Sequence, residues 1–273
     1  MRSEPPPEHP LVAAVEAGPL TLDDEAALTR ALAGADMVYN TFWIRFPRAG
    51  RSFEWAISAS ARLFRAAAAA GVGRIVHISV TRPSLDSPYA YFRAKAAVEE
   101  LLLSGPVPAV AVRPSLVFGG RDEILVNNIA WFLRRLPVFA LPQRPCRVQP
   151  VSVEDVARLA VAAAAGGPAV VDAVGPETYS YRGLVESVRD AVGSRARIVE
   201  LPQRAVWALA RAASVPLRDP VVTAEELGAL QANLLTSDQP GQGRIRFSDW
   251  IIGQRDWLGT DYHSELERHW RDD

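Results

Sequence analysis

The chain has 273 residues, 49 % of them hydrophobic and 22 % charged, with 30 basic and 31 acidic residues giving a net charge of −1. This is the composition of an ordinary soluble globular protein, with no basic field for nucleic acid and no like-charge block for a membrane surface. A single cysteine, Cys146, excludes a disulfide framework and a multi-cysteine zinc site, and four scattered histidines offer no metal-ligand spacing.

No apolar run reaches eighteen residues, so no transmembrane helix is expected. Residues 1–10 lack the apolar centre of a signal peptide, which makes the cytoplasm the expected location. Residues 11–22 read as a short strand and a turn. Asp23 or Asp24 then caps a helix to about Leu32, stopped by Gly34. A strand over 35–42 leads into a loop holding Trp43, Arg45, Pro47 and Arg48. A helix over 53–70 ends at Gly71-Val72-Gly73, and a strand over 74–80 follows. After a Pro/Ser/Asp loop come a helix over 89–104 and a strand over 107–113. Alternation of this kind is the pattern of a parallel sheet with helices on both faces, in which ligands sit beyond the carboxyl ends of the strands.

After Gly119-Gly120 the character changes. Helix 122–136 is amphipathic, the stretch Pro137 to Pro150 reads as proline-rich and irregular, and a helix from Ser152 or Glu154 runs to about Ala165. A strand over 169–173, a helix over 181–193 and a strand over 197–201 follow. Helices are expected near 202–213 and 223–236, and the tail to Trp270 holds three of the seven tryptophans as aromatic anchors. The expected organisation is therefore a core over residues 1–120, with residues 121–273 returning strands to it and forming a smaller lobe.

The most informative stretch is Tyr91-Phe92-Arg93-Ala94-Lys95. Of the 30 basic residues, 29 are arginine and Lys95 is the only lysine, so it marks a position where a compact ammonium rather than a guanidinium is required. Tyr91 and Lys95, four apart on a helix, share a face. A cation one turn away would lower the phenol's pKa towards the range useful for proton transfer. Ser79, at the end of the preceding strand, could hydrogen-bond the same substrate oxygen, and Asn40, Thr41, Arg113 and Pro114 all fall at strand ends.

With these residues in place, the sequence resembles the short-chain dehydrogenase/reductases. It is most similar to their extended and atypical branches, the nucleotide-sugar-epimerase-like and NmrA-like proteins, a group that includes the Rossmann-type accessory subunit of respiratory complex I. The resemblance rests on Ala70–Ser79, Tyr91–Lys95, Val112–Gly119 and Val148–Ala157, and covers about residues 11–200. It implies a Rossmann-like doubly wound sheet holding NADP or NAD. Tyr91 would be the acid/base, Lys95 would hold the ribose, Ser79 (or Thr81) would orient the substrate, Pro114 would lie beside the nicotinamide, and Asn40, Thr41 and Arg113 would lie along the cofactor. It also implies a small-molecule substrate, with self-association as the other expected partnership.

One departure is large. The family's G-x-x-G-x-x-G turn, which brings a helix N-terminus to the pyrophosphate, does not occur in this sequence. Two expectations follow: a start codon placed downstream of the true one, or an N-terminally truncated fold that has lost this cradle. Function divides in the same way, between an NAD(P)-dependent oxidoreductase or epimerase and a non-catalytic dinucleotide sensor or assembly subunit. Arg144 and Arg147 are weaker candidates for a substrate phosphate, Arg2 for the 2′-phosphate of NADP, and Asp155 reads as a helix N-terminal acid.

Overall fold

The computed structural model describes residues 21–121 and 123–269, with Gly18; Arg2 and most of the strand expected over 11–22 lie outside the described residues. The first helix, α1 (Glu25–Ala31), starts on Asp24, whose carboxylate accepts the Ala27 N–H at 2.9 Å. Then come β1 (Met37–Asn40), α2 (Phe53–Ala69, capped by the Ser52 hydroxyl), β2 (Arg74–Ile78), α3 (Ala90–Leu103) and β3 (Ala109–Pro114). The second half contains β4 (Val117–Phe118), α4 (Leu125–Arg135), β5 (Val138–Pro142), β6 (Arg147–Val148), β7 (Val151–Ser152) and α5 (Val153–Ala164). It continues with β8 (Val170–Ala173), β9 (Tyr179–Ser180), α6 (Tyr181–Ala191), β10 (Arg197–Leu201), α7 (Gln203–Leu217), α8 (Ala224–Gln231), α9 (Phe247–Ile252) and α10 (Glu265–His269).

Strands β1, β2, β3 and β8 form one parallel sheet in that order. Alternating side chains divide between two cores, as the period-two pleat requires. Val76, Val110, Val112 and Val171 pack with Leu159 and Ala160 of α5 on one face. Val38, Ile75 and Ala111 meet Leu63, Phe64 and Val98 of α2 and α3 on the other. β1 is at the edge of this sheet among the described residues, and its residues Met37 and Tyr39 are exposed.

A separate core gathers Phe118, Leu133, Leu184, Phe247 and Leu258, with Trp250 and Trp257 packed against it as the aromatic tail suggested. Cys146 lies in this core, and burial pushes its thiol up to about 11, which fits a structural residue. The proline-rich stretch is not irregular. It holds β5, which pairs in parallel with β10 over five residues, and β6, which pairs antiparallel with β9. Its prolines flank β5: Pro137 contributes only its carbonyl, to the Arg197 N–H at 2.9 Å, and Pro142 closes the strand. Helix α7 extends four residues beyond the expected end and takes Pro216 into its last turn.

Gly259 joins the tail to α4. Its φ is +73°, its N–H donates to the buried Asn127 side chain at 2.8 Å, and a Cβ there would lie 2.5 Å from the Ala130 and Trp131 backbone. Gly259→Ala is therefore expected to lower stability by about 2–4 kcal/mol in urea unfolding, through left-handed strain and a backbone clash together.

Candidate active site

Helix α3 carries Tyr91 and Lys95 one turn apart, beside the carboxyl ends of β1 and β2. Lys95 is only 2 % exposed. Its ammonium donates to the Ile78 carbonyl at 2.8 Å and lies 4.4 Å from the centre of the Trp43 ring. That carbonyl is available because the β1 ladder stops at Asn40, where the Phe42 N–H turns back onto the Asn40 side chain at 3.1 Å. Burial brings the Lys95 pKa down from 10.5 to about 7, with the Glu99 carboxylate opposing.

Trp43 stacks on Phe53 at 6.2 Å and meets Tyr91 edge-on at 6.0 Å, and Tyr91 also touches Phe53 and Phe92 edge-on. Inside this aromatic cage, burial raises the Tyr91 phenol well above its ordinary value; Glu226 adds to the rise, Arg45 opposes it, and Glu265 adds again. The expected lowering by Lys95 is not met. The ammonium is engaged with Ile78 and the indole, while the charges acting on the phenol come from the loop after β1 and from α8 and α10.

Asn40 is buried, and its side-chain amide lies 3.0 Å from Nδ1 of His77. Because the Asn40 oxygen accepts from Phe42, the amide donates to His77, which places the imidazole proton on Nε2. Burial first, then the Lys95 charge, hold His77 well below its ordinary pKa and keep it neutral. Ser79 is also buried, and its hydroxyl has no hydrogen-bond partner among the described residues. The Thr81 hydroxyl, by contrast, is taken by the Leu234 carbonyl at 2.7 Å.

Thr41 is exposed just past β1. Arg113 forms a bidentate pair with Glu99 on α3, Nε to Oε1 at 3.0 Å and Nη2 to Oε2 at 2.5 Å. Pro114 ends β3, and its carbonyl accepts the Thr81 N–H. Arg144 and Arg147 are exposed, and the His263 ring donates to the Glu123 carbonyl at 2.9 Å, a structural bond. Asn40, Ser79, Tyr91 and Lys95 thus converge at the strand ends, whereas Thr41 and Arg113 turn to solvent and to Glu99.

Tyr91 borders a cavity of about 1110 Å³ between the strand ends and the layer made by α4, β5, β10, α7 and α8; Ser79 and Lys95 do not line it. Its walls are mostly aliphatic and aromatic. At the Tyr91 end lies a charged cluster that the sequence did not reveal: Arg45 donates to Glu226 at 2.5 Å and to Glu265 at 3.2 Å. The one local sign was Thr223-x-x-Glu226, a capping box at the start of α8.

A parallel sheet with helices on both faces and polar residues at its carboxyl ends defines a Rossmann-like α/β protein. No family model matches the sequence. Among curated proteins, the chain is 28 % identical over 243 residues to the Arabidopsis thaliana protein named NADH dehydrogenase [ubiquinone] 1 alpha subcomplex subunit 9, mitochondrial, covering 83 % of this chain and 59 % of that one. It is 25 % identical over 194 residues to the Neurospora crassa NADH-ubiquinone oxidoreductase 40 kDa subunit, mitochondrial, covering 71 % and 52 %. The chain thus spans little more than half the length of these relatives.

Among solved structures, the NADP(H) complex of Citrobacter triphenylmethane reductase superposes with a TM-score of 0.67 at 15 % identity, covering 86 % of this chain and 81 % of that one. The NADPH complex of an Escherichia coli NADPH-dependent quinone oxidoreductase gives 0.67 at 17 % identity, covering 85 % and 81 %. The chain is thus similar in sequence to these subunits, and it shares the Rossmann-like fold of solved reductases and epimerases. No helix among the described residues is long and apolar enough to cross a membrane.

Proposed function

We propose that this chain is an NAD(P)-binding-type accessory or assembly subunit, a protein that holds ligand without transferring hydride. One observation carries the reading: the only lysine is sealed beneath Trp43 and bonded to a backbone carbonyl, so Tyr91 lacks the cation that would activate it. The relatives named as NADH dehydrogenase subunits support the same role.

A nicotinamide dinucleotide, which when bound would accept a hydride in its oxidised form and donate one in its reduced form, fits the residues at one end. Ser79 offers an unpartnered buried hydroxyl, and Asn40 lies at the same strand ends. Solved neighbours containing NADPH and NADP(H) support this class of ligand.

Titration with NADH and NADPH, followed by their fluorescence, and steady-state oxidation assays with small carbonyl acceptors test the proposal together. The expected result is a binding signal retained in Tyr91→Phe, with oxidation at background in both proteins. Turnover by the wild type that disappears in Tyr91→Phe would replace the accessory reading with an NAD(P)-dependent oxidoreductase. No binding signal at all would remove the dinucleotide.

A further inference from the structure

The cavity beside Tyr91 is larger than a close-packed interior leaves by accident, and its volume lies just above the usual span of ligand pockets, about 300–1,000 Å³. Leu125, Ile129 and Phe132 of α4 form one wall, and Val206, Leu209 and Ala210 of α7 face into the same space. Water placed there would have few polar partners over most of its extent, so an apolar occupant is favoured.

Polar groups gather at one end. Three carboxylates, Glu226, Glu265 and Asp219, stand with the one guanidinium of the lining, Arg45, and two more, Glu54 and Glu225 (which takes the Ala90 N–H at 3.4 Å), also line the cavity. The carboxylates already have donors. Glu226 and Glu265 share Arg45, Glu226 also takes the Thr223 N–H, and Asp219 takes the Tyr262 hydroxyl, the Ser264 hydroxyl and the N–H groups of Glu265 and Leu266. An anionic head group would meet a net negative end, and a cationic one would find its counter-charges engaged. The Tyr91 hydroxyl, a donor suited to a neutral oxygen, borders the same end.

We infer that the cavity binds an uncharged, single-chain amphiphile, its hydrocarbon running along α4 and α7 and its oxygen head accepting from Tyr91. This site is independent of dinucleotide binding, and its test is run without dinucleotide.

Displacement of the fluorescent probe 1-aminoanthracene from the full chain by dodecanol and by dodecanoate compares one chain length with two head groups. Dodecanol is expected to displace the probe with about tenfold or greater advantage over dodecanoate. Ala210→Phe and Ala213→Phe, which fill the cavity from α7, should abolish displaceable probe binding while keeping the melting temperature at or above that of the wild type. Dodecanoate binding as well as dodecanol would overturn the neutral-head assignment on the wild-type protein alone. Absence of displaceable binding, or dodecanol binding unchanged in both filled variants, would overturn the site.

Discussion

Asp155→Ala is expected to destabilise the protein by about 3–5 kcal/mol, because it removes a buried carboxylate that ties two distant segments together. Asp155 is 2 % exposed in the first turn of α5. One oxygen accepts the N–H groups of Arg244 and Ile245 at 2.7 and 2.8 Å, and the other accepts Arg158 Nη2 at 2.9 Å. Two residues beyond Ile245, Phe247 enters the core of the second half, 5.1 Å from the Phe118 ring. Loss of the carboxylate would orphan two backbone donors and release the lead into α9.

The acid side of the profile follows from the same bonds. Burial alone would raise this carboxyl, but the donors at Ile245, Arg158 and Arg244 outweigh it, and the pKa falls below its ordinary 3.8. A depressed carboxyl stabilises fully above the unfolded value and loses that contribution as pH falls through the folded one. The gap between wild type and Asp155→Ala in urea unfolding should therefore be widest above about pH 5 and shrink towards pH 2.

Lys95→Met is expected to do the opposite and stabilise the fold at neutral pH. With a folded pKa of about 7 against an ordinary 10.5, Lys95 is protonated in the unfolded chain across a window where the folded chain has released its proton. Stability of the wild type therefore rises with pH through that window, and the cost of burying the ammonium is greatest below it. The shift corresponds to roughly 4–5 kcal/mol. Leaving the Ile78 carbonyl without its donor returns about 1–3 kcal/mol of that. The net gain for Lys95→Met should be about 2 kcal/mol at pH 7 and should vanish or reverse near pH 10.5. Chemical unfolding at the two pH values measures it.

The alternation of apolar residues made the parallel sheet and its helices legible. Asp24, Ser52 and Ser152 cap helices within two residues of the expected starts. The convergence of Asn40, Ser79, Tyr91 and Lys95 was legible too, because strand ends and a four-residue helical step are local facts. What surrounds them was not. Arg45 meets Glu226 and Glu265 across 181 and 220 residues, and no short pattern announces such a contact. Nor could spacing tell that Trp43 would cover the lysine, since an aromatic residue after a strand can pack either way. In the sequence Asp155 reads as a helix-end acid; its bonds to residues 244 and 245 depend on a chain reversal that only the folded tail supplies. β5 was hidden by prolines that in the event only bracket it.

Lys95 is a sealed residue and not an open partner of Tyr91. Its status as the only lysine makes the test direct: protein grown with ¹³Cε-lysine shows one side-chain signal, assigned without a variant. Followed by NMR from pH 5 to 11, that signal should titrate near 7. A midpoint near the 10.4 of a free lysine would show an exposed or ion-paired ammonium and would contradict the account.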